Sequence, residues 1–267
     1  MQAYLYLVTS FLQNFLAVGQ DGLHLIGTAV LPVLFPFFVL TSLILNLSSV
    51  SRPWLVAILA YCSGYPNGAR LTQDLYTQHR IDLPTAKRLL IATATPSPMF
   101  VIATAGMVFL HDIKLGCIIF LCAVISAILN AWLWSPKSST TPVSLRQPPF
   151  VWHAHQPFFT AFSNALSSAT RAIINVSGVV LFFYIFTHTL HFPVLIGGLL
   201  EMTTGTAATV NPFLVQFFVT FGGLSVAMQQ QLFMQEFHIN LRFYCAYKLS
   251  HGILACGLLA TYLLFLY

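Results

Sequence analysis

Between two apolar runs the chain carries Cys62-Ser63-Gly64-Tyr65-Pro66-Asn67-Gly68-Ala69-Arg70, which gathers hydroxyl, phenol, amide and guanidinium groups around two glycines and a proline. The flanking runs, Trp54 to Cys62 and Ala69 to Gln78, are each too short for a bilayer crossing, which takes ~20 apolar residues. This spacing predicts a re-entrant hairpin with its tip, residues 62–69, inside a membrane. Lipid satisfies neither N–H nor C=O, so non-helical backbone at that depth must be buried in protein or line a polar cavity. The chemistry available there is recognition. A helix that starts within the membrane aims unpaired N–H groups, worth about half a positive charge, at whatever lies beyond its end, and such ends draw anions or polar acceptors. One helix should start near Asn67-Gly68-Ala69 and another near Ser97-Pro98, so two donor ends could converge. Ser63, Asn67, Thr95 and Ser97 would add side-chain hydrogen bonds, Gly64 and Gly68 would let a solute approach the backbone, and Tyr65 could stack on a planar ring. Arg70, one turn past the tip, either meets an anionic cargo or pairs with Asp74 at i+4.

A second set lies further along: Glu201, Thr203, Thr204, Gly205, Ser225 and Gln229. A carboxylate beside a membrane-embedded tip is costly unless paired, protonated or wet. Glu201 is therefore the candidate ligand for a coupling sodium ion or proton, or a substrate contact, with a structural ion pair as the alternative. Ser and Thr at helix breaks often only satisfy freed backbone or let helices pack closely; the coincidence of four breaks carries more weight than any one hydroxyl. Lys248, about a turn and a half inside the last apolar span, is expected to snorkel to the interface. No set of nucleophile, base and orienting group appears. The five cysteines and the pair His153 and His155 lack metal-type spacing. The reading is therefore of a non-enzyme with no metal and no cofactor beyond a coupling ion.

The elements that hold these groups follow from composition. Of 267 residues, 57% are hydrophobic and 6% charged, against ~25% charged in ordinary soluble domains. Long apolar runs exclude a barrel, whose segments alternate over ~10 residues, so the fold class is an all-α polytopic membrane protein. Of the 11 Lys and Arg residues all but Arg70 and Lys248 fall in loops, and they form no run suited to nucleic acid. Residues 1–23 form an apolar helix, spanning or interfacial, without the basic start of a signal peptide. A first repeat, 24–135, holds the tip 62–69 and a helix over 89–110 broken at Thr93-Ala94-Thr95-Pro96-Ser97-Pro98. Residues 136–157 form a linker. A second repeat, 158–267, opens with an interfacial helix over 158–168 and a span over 172–190, then a tip at 201–208 and a helix over 213–235 broken at Gly222-Gly223-Leu224-Ser225. Three crossings per half invert the second copy. With both tips re-entrant, Arg52, Arg80, Lys87, Arg88, Lys137, Arg146, Arg171 and Arg242 share one side and Lys114 takes the other, so the positive-inside rule makes the linker cytoplasmic.

Ser63-Gly64-Tyr65-Pro66-Asn67-Gly68-Ala69-Arg70-Leu71-Thr72, Lys87-Arg88-Leu89 and Ser97-Pro98-Met99-Phe100 resemble the sporulation integral membrane protein (YlbJ-like) family, of the nucleoside-recognition or Gate group. Leu200-Glu201-Met202-Thr203-Thr204-Gly205, Phe221-Gly222-Gly223-Leu224-Ser225 and Tyr247-Lys248-Leu249 resemble its later landmarks. The resemblance implies a bacterial cytoplasmic or forespore membrane protein with a fold akin to concentrative nucleoside transporters, and a cargo such as dipicolinate. The expected function is secondary transport of a small polar or anionic planar solute by alternating access, coupled to sodium or protons. Its partners are the small-molecule substrate and the lipid bilayer, with a homo-oligomer left open. The alternative is a non-transporting membrane protein that assembles or recruits partners.

Overall fold

The chain enters as helix α1 (Gln2–Leu25), passes through one π-helical turn (Ile26–Val30) and continues as α2 (Leu31–Leu47). The π turn lies just before Pro32. There the Leu31 N–H reaches back to the Ile26 carbonyl, an extra residue per turn that accommodates a ring unable to donate a hydrogen bond. A computed structural model describes residues 1–47, 53–134, 157–190, 192–237 and 239–265. The expected linker 136–157 lies, except for Pro157, outside the described residues.

Every regular element among the described residues is helical. After α2 come two short helices, α3 (Pro53–Ser63) and α4 (Asn67–Thr77), then α5 (Leu83–Thr93), a π-helical segment (Met99–Phe109) and α6 (Ile113–Trp134). Asp82 caps α5 by accepting from the Thr85 N–H at 3.0 Å, and Asp112 caps α6 through the Lys114 and Leu115 N–H groups. The second part comprises α7 (Phe158–Leu190), α8 (Val194–Leu200), α9 (Met202–Ala207), α10 (Pro212–Phe221), α11 (Gly223–Gln231) and α12 (Leu241–Phe265). Among the described residues four stretches are long and apolar enough to cross a membrane: Ile113–Trp134, Phe158–Leu190, Pro212–Gln231 and Leu241–Phe265. Leu121, Ile125, Ile128, Leu129 and Leu133 leave the outer face of α6 exposed and apolar, as a lipid-facing helix requires. The molecule is an integral membrane protein with several apolar helices.

One expectation needs correction. The interfacial helix over 158–168 and the span over 172–190 are a single 33-residue helix, roughly 50 Å long at 1.5 Å per residue. Nothing in Ser167-Ser168-Ala169-Thr170-Arg171 breaks a helix. Ala161, Ala165, Ala169 and Ala172 recur along one buried face of α7, where small side chains let α2 approach closely. Asn46 of α2 donates to the Ala161 carbonyl across that seam. The other major seam joins α6 to α12, where Asn130 donates to the Tyr247 carbonyl at 2.8 Å and Trp134 donates to Ser250 Oγ. Gly106 of the π segment faces Gly116 of α6, where an added Cβ would lie 2.7 Å from the Gly116 Cα. Two buried clusters result, one around α2, α3 to α5 and α7, the other between the π segment, α6, α10 and the end of α12.

Candidate functional site

Helices α3 and α4 are joined by Gly64-Tyr65-Pro66. Gly64 has φ +69° and donates to the Ala60 carbonyl to close α3, while its own carbonyl accepts from the Asn67 N–H at 3.0 Å to open α4. A side chain at this φ would be strained, and a Cβ here would also run into the Ser97 backbone. The turn therefore sits directly on a second break. Helix α5 stops at Thr93, Ala94 takes φ −75° and ψ 62°, and the Thr95 N–H returns to the Thr93 carbonyl at 2.8 Å, an inverse γ-turn. Ser97 Oγ then accepts from the Phe100 N–H at 3.2 Å and starts the π segment.

The later half brings two more interruptions together. Glu201 is extended between α8 and α9, and its Oε2 accepts from both the backbone N–H and the hydroxyl of Thr204, at 2.6 and 3.0 Å. Gly205 packs on Gly198 so closely that a Cβ would meet the Gly198 Cα. Helix α10 ends at Gly222, with φ +83°, and Gly223 abuts the carbonyls of Gly198, Leu199 and Leu200.

A cavity of about 400 Å³ lies where these parts meet. Its walls are mostly apolar, with Leu34, Phe100, Val176 and Met202 among them. Its polar groups come from both halves: Tyr65, Ser97 and Thr104 from the first, Glu201, Thr203 and Gln229 from the second. Both π-helical stretches contribute, through Thr28 and Thr104; π turns frequently mark functional sites. Glu201 is 4% exposed, and among the described residues the ion pair present is Arg70–Asp74, so no described cation pairs with Glu201. An apolar pocket with a few convergent polar groups is the usual form of a small-molecule site.

Among known proteins the chain is similar to the sporulation integral membrane protein YlbJ of Bacillus subtilis (strain 168), at 21% identity over 93% of this chain and 77% of that protein. This likeness supports the YlbJ-like family resemblance. The chain is a membrane protein related to a sporulation integral membrane protein. No family model matches it, and no solved structure does.

The cavity brings together Tyr65, Ser97, Glu201, Thr203 and Gln229. The other residues singled out in the sequence sit behind its wall. Ser63 Oγ bonds to the Leu59 carbonyl and accepts from Asn67 Nδ2 at 2.8 Å, so the two hold the α3–α4 turn together. Gly68 packs on Thr93, and Thr95 Oγ1 is buried with no hydrogen-bond partner among the described residues. Thr204 and Gly205 serve the cap and crossing just described, and Ser225 Oγ accepts from Gln229 Nε2 at 3.1 Å. Arg70 points away from the cavity. It bonds to Ser42, to the Phe38 carbonyl and Asn67 at 3.3 Å and to Ser168 at 3.4 Å, and lies 3.7 Å from Asp74. It stitches α4 to α2 and α7.

Lys248 departs most from its expected place. It does not snorkel: it is fully buried, with Nζ 2.6 Å from the Tyr65 hydroxyl and 2.8 Å from the Ala94 carbonyl. His251 was not singled out at all, yet its Nδ1 is 3.3 Å from that Nζ. The signal was in the spacing. Tyr244, Lys248, His251 and Ala255 recur at i, i+4, i+7 and i+11, one face of a helix, and that face is buried.

Proposed function

We propose that this chain is a secondary transporter whose cargo binds in the cavity between the two sets of broken helices. The observation that carries the reading is a cavity of about 400 Å³ lined from both halves and holding, at a helix interruption, a carboxylate with which no described cation pairs. In transporters, discontinuous helices near the bilayer midplane form such sites at the interface of inverted repeats. On this reading α3–α4 and α8–α9 are counterpart re-entrant pairs, and the breaks at 94–98 and 222–223 are counterpart hinges. The two repeats rock about the cavity to give alternating access. The chain performs no chemistry on its cargo.

The contacts favour a cargo with hydrogen-bond donors over a bare anion. Arg70 is committed to α2, α7 and Asp74. At the start of α9 the Thr204 N–H is already taken by Glu201, and at the start of the π segment the Phe100 N–H is taken by Ser97. What the cavity offers is the Glu201 carboxylate, the Gln229 amide, the hydroxyls of Thr28, Ser97, Thr104 and Thr203 and the Tyr65 ring. A small planar solute with N–H groups on its edge, nucleobase-like, fits that set with Glu201 ionised. An aromatic dicarboxylate such as dipicolinate would bring like charge against the Glu201 carboxylate. Sodium coupling would instead need the Glu201 oxygen not engaged by Thr204.

Thermal stabilisation of the purified protein by nucleobases, nucleosides, small aromatic amines and dipicolinate, at two pH values and with sodium or potassium, tests the reading. A ligand at 100 times its Kd adds about 2.7 kcal/mol to stability. Stabilisation that is lost in Glu201→Gln supports the site. A folded protein that responds to none of these solutes and moves none across a membrane is a membrane assembly or recruitment protein instead.

A further inference from the structure

Lys248 lies where the α3–α4 turn, the end of α5 and the end of α10 converge, and every partner of its Nζ can be assigned a role from chemistry alone. His251 Nε2 is 2.9 Å from the Ala123 carbonyl. A carbonyl only accepts, so Nε2 carries the hydrogen, and Nδ1 of the neutral ring, facing Lys248, is an acceptor. The Tyr65 hydroxyl is 3.0 Å from the Thr220 carbonyl and 3.3 Å from that of Val219; it donates there and accepts from Lys248. The third neighbour, the Ala94 carbonyl, also accepts. With the Tyr65 hydrogen on Thr220, three acceptors surround the nitrogen, and the ammonium form supplies one N–H to each. No carboxylate is near: among the described residues the ion pair present is Arg70–Asp74. The charge is held by neutral groups: His251 Nδ1, the Tyr65 hydroxyl and the buried carbonyl at the α5 terminus, the negative end of that helix dipole.

We propose that Lys248 is the built-in cation of a carbonyl-lined site at the junction of the two breaks, and that binding and release of its proton couples the chain's movement to protons. The inference deepens the transporter reading and rests on it for the coupling. When the Nζ–H bond breaks, the electron pair stays on nitrogen and the proton passes to water on the cavity side of Tyr65, which both touches the amine and lines the cavity. The neutral amine keeps two hydrogens for three acceptors. One contact must fail, and Tyr65 can restore the balance by turning its hydrogen from the Thr220 carbonyl to the nitrogen lone pair. That movement unties the α3–α4 turn from the end of α10, and Tyr65 is itself part of the cavity wall. The protonated site thus ties the two halves together and the neutral site lets them part. The titratable groups touching Lys248 are Tyr65 from the turn and His251 of its own helix; Tyr244 and Tyr247 of that helix are buried and packed on each other. From α6 the titratable side chain on the buried face toward α12 is Cys122. The segments of α5, α10 and α11 packed here present no charged side chain.

The test uses the whole chain with its lysine nitrogens labelled with ¹⁵N. The sequence has four lysines, Lys87, Lys114, Lys137 and Lys248, and the Nζ shift separates ammonium from amine; Lys248→Arg identifies the resonance. The proposal expects Lys248 to change from ammonium to amine within the pH range over which the fold holds. It also expects the wild-type melting midpoint to vary with pH across that change, and the variation to vanish in Lys248→Met. In Lys248→Ala, the emptied site should take methylammonium or ethylammonium, which should recover most of the lost midpoint and leave the wild type unaffected. A Lys248 that stays ammonium throughout overturns the proposal even if neither substitution folds. Since none of these measurements uses cargo, a titrating Lys248 without solute flux would sink the transporter reading alone, and proton-driven flux with a non-titrating Lys248 would sink this inference alone.

Discussion

Replacing Gly64 by alanine should damage both stability and solute binding. Two costs combine. The left-handed conformation at φ +69° disfavours a side chain by about 1–2 kcal/mol. The new methyl would also meet the Ser97 backbone, which cannot rotate away as a side-chain tip could, and forced overpacking costs about 1–3 kcal/mol. The sum is about 2–5 kcal/mol. The chain contains its own control. Gly257 lies inside α12 with nothing within 4 Å of an added Cβ, so Gly257→Ala should stabilise by about 0.5–1 kcal/mol through helix propensity. Melting midpoints in one detergent should therefore move in opposite directions, down by several degrees for Gly64→Ala and slightly up for Gly257→Ala. Because Ser97 lines the cavity, Gly64→Ala should also weaken any solute that stabilises the wild type. Equal midpoints for the two variants would refute the claim that the α3–α4 turn is seated on the break at 94–98.

Other substitutions separate the cavity from its supports. Glu201→Gln keeps an acceptor for Thr204 but removes the charge, so affinity for a donor-bearing solute should fall by roughly 10–100-fold, the worth of about 1.5–3 kcal/mol for a hydrogen bond to a charged group, with little change in melting; Glu201→Ala should also lose about 1 kcal/mol as the α9 cap disappears. Arg70→Ala should cost roughly 2 kcal/mol of stability through the contacts to Ser42, the Phe38 carbonyl and Asn67, while the affinity of the remaining folded protein stays unchanged; a large affinity loss at constant stability would return Arg70 to the site. Gly116→Ala places a methyl against the Ile102 and Val101 carbonyls at 3.2 Å and should separate α6 from the π segment, lowering the midpoint by the 1–3 kcal/mol typical of overpacking.

The helical class and the places where helices stop were legible because they depend on local chemistry. Glycine and proline inside an apolar run have few conformations open to them, so Gly64-Tyr65-Pro66, Thr93 to Pro98 and Gly222-Gly223 could be read as interruptions without any tertiary information. The continuity of α7 was not legible, because Ser167 to Arg171 looks like an interface and only the packing of Ala161 to Ala172 against α2 shows why the helix runs on. Which charges face the cavity depends on how each helix is rotated in the bundle. Glu201 was expensive enough in lipid to be noticed from its position. Arg70 and Lys248 were as expensive, but nothing local distinguishes a guanidinium that braces α2 from one that meets cargo. Nor does it distinguish a lysine that snorkels from one that ends on the Ala94 carbonyl. The face repeat Tyr244, Lys248, His251 and Ala255 was the available clue.

The measurement that bears most directly on the central claim is solute counterflow in proteoliposomes, comparing the wild type with Thr203→Trp. Thr203 lines the cavity without a part in the Glu201 cap, so an indole there fills the space for cargo and leaves the α8–α9 junction intact. The account predicts that a solute found to stabilise the wild type exchanges across the membrane, and that Thr203→Trp abolishes exchange at a nearly unchanged melting midpoint. Exchange that continues undiminished through the filled cavity, or a stabilising solute that never crosses, would contradict it.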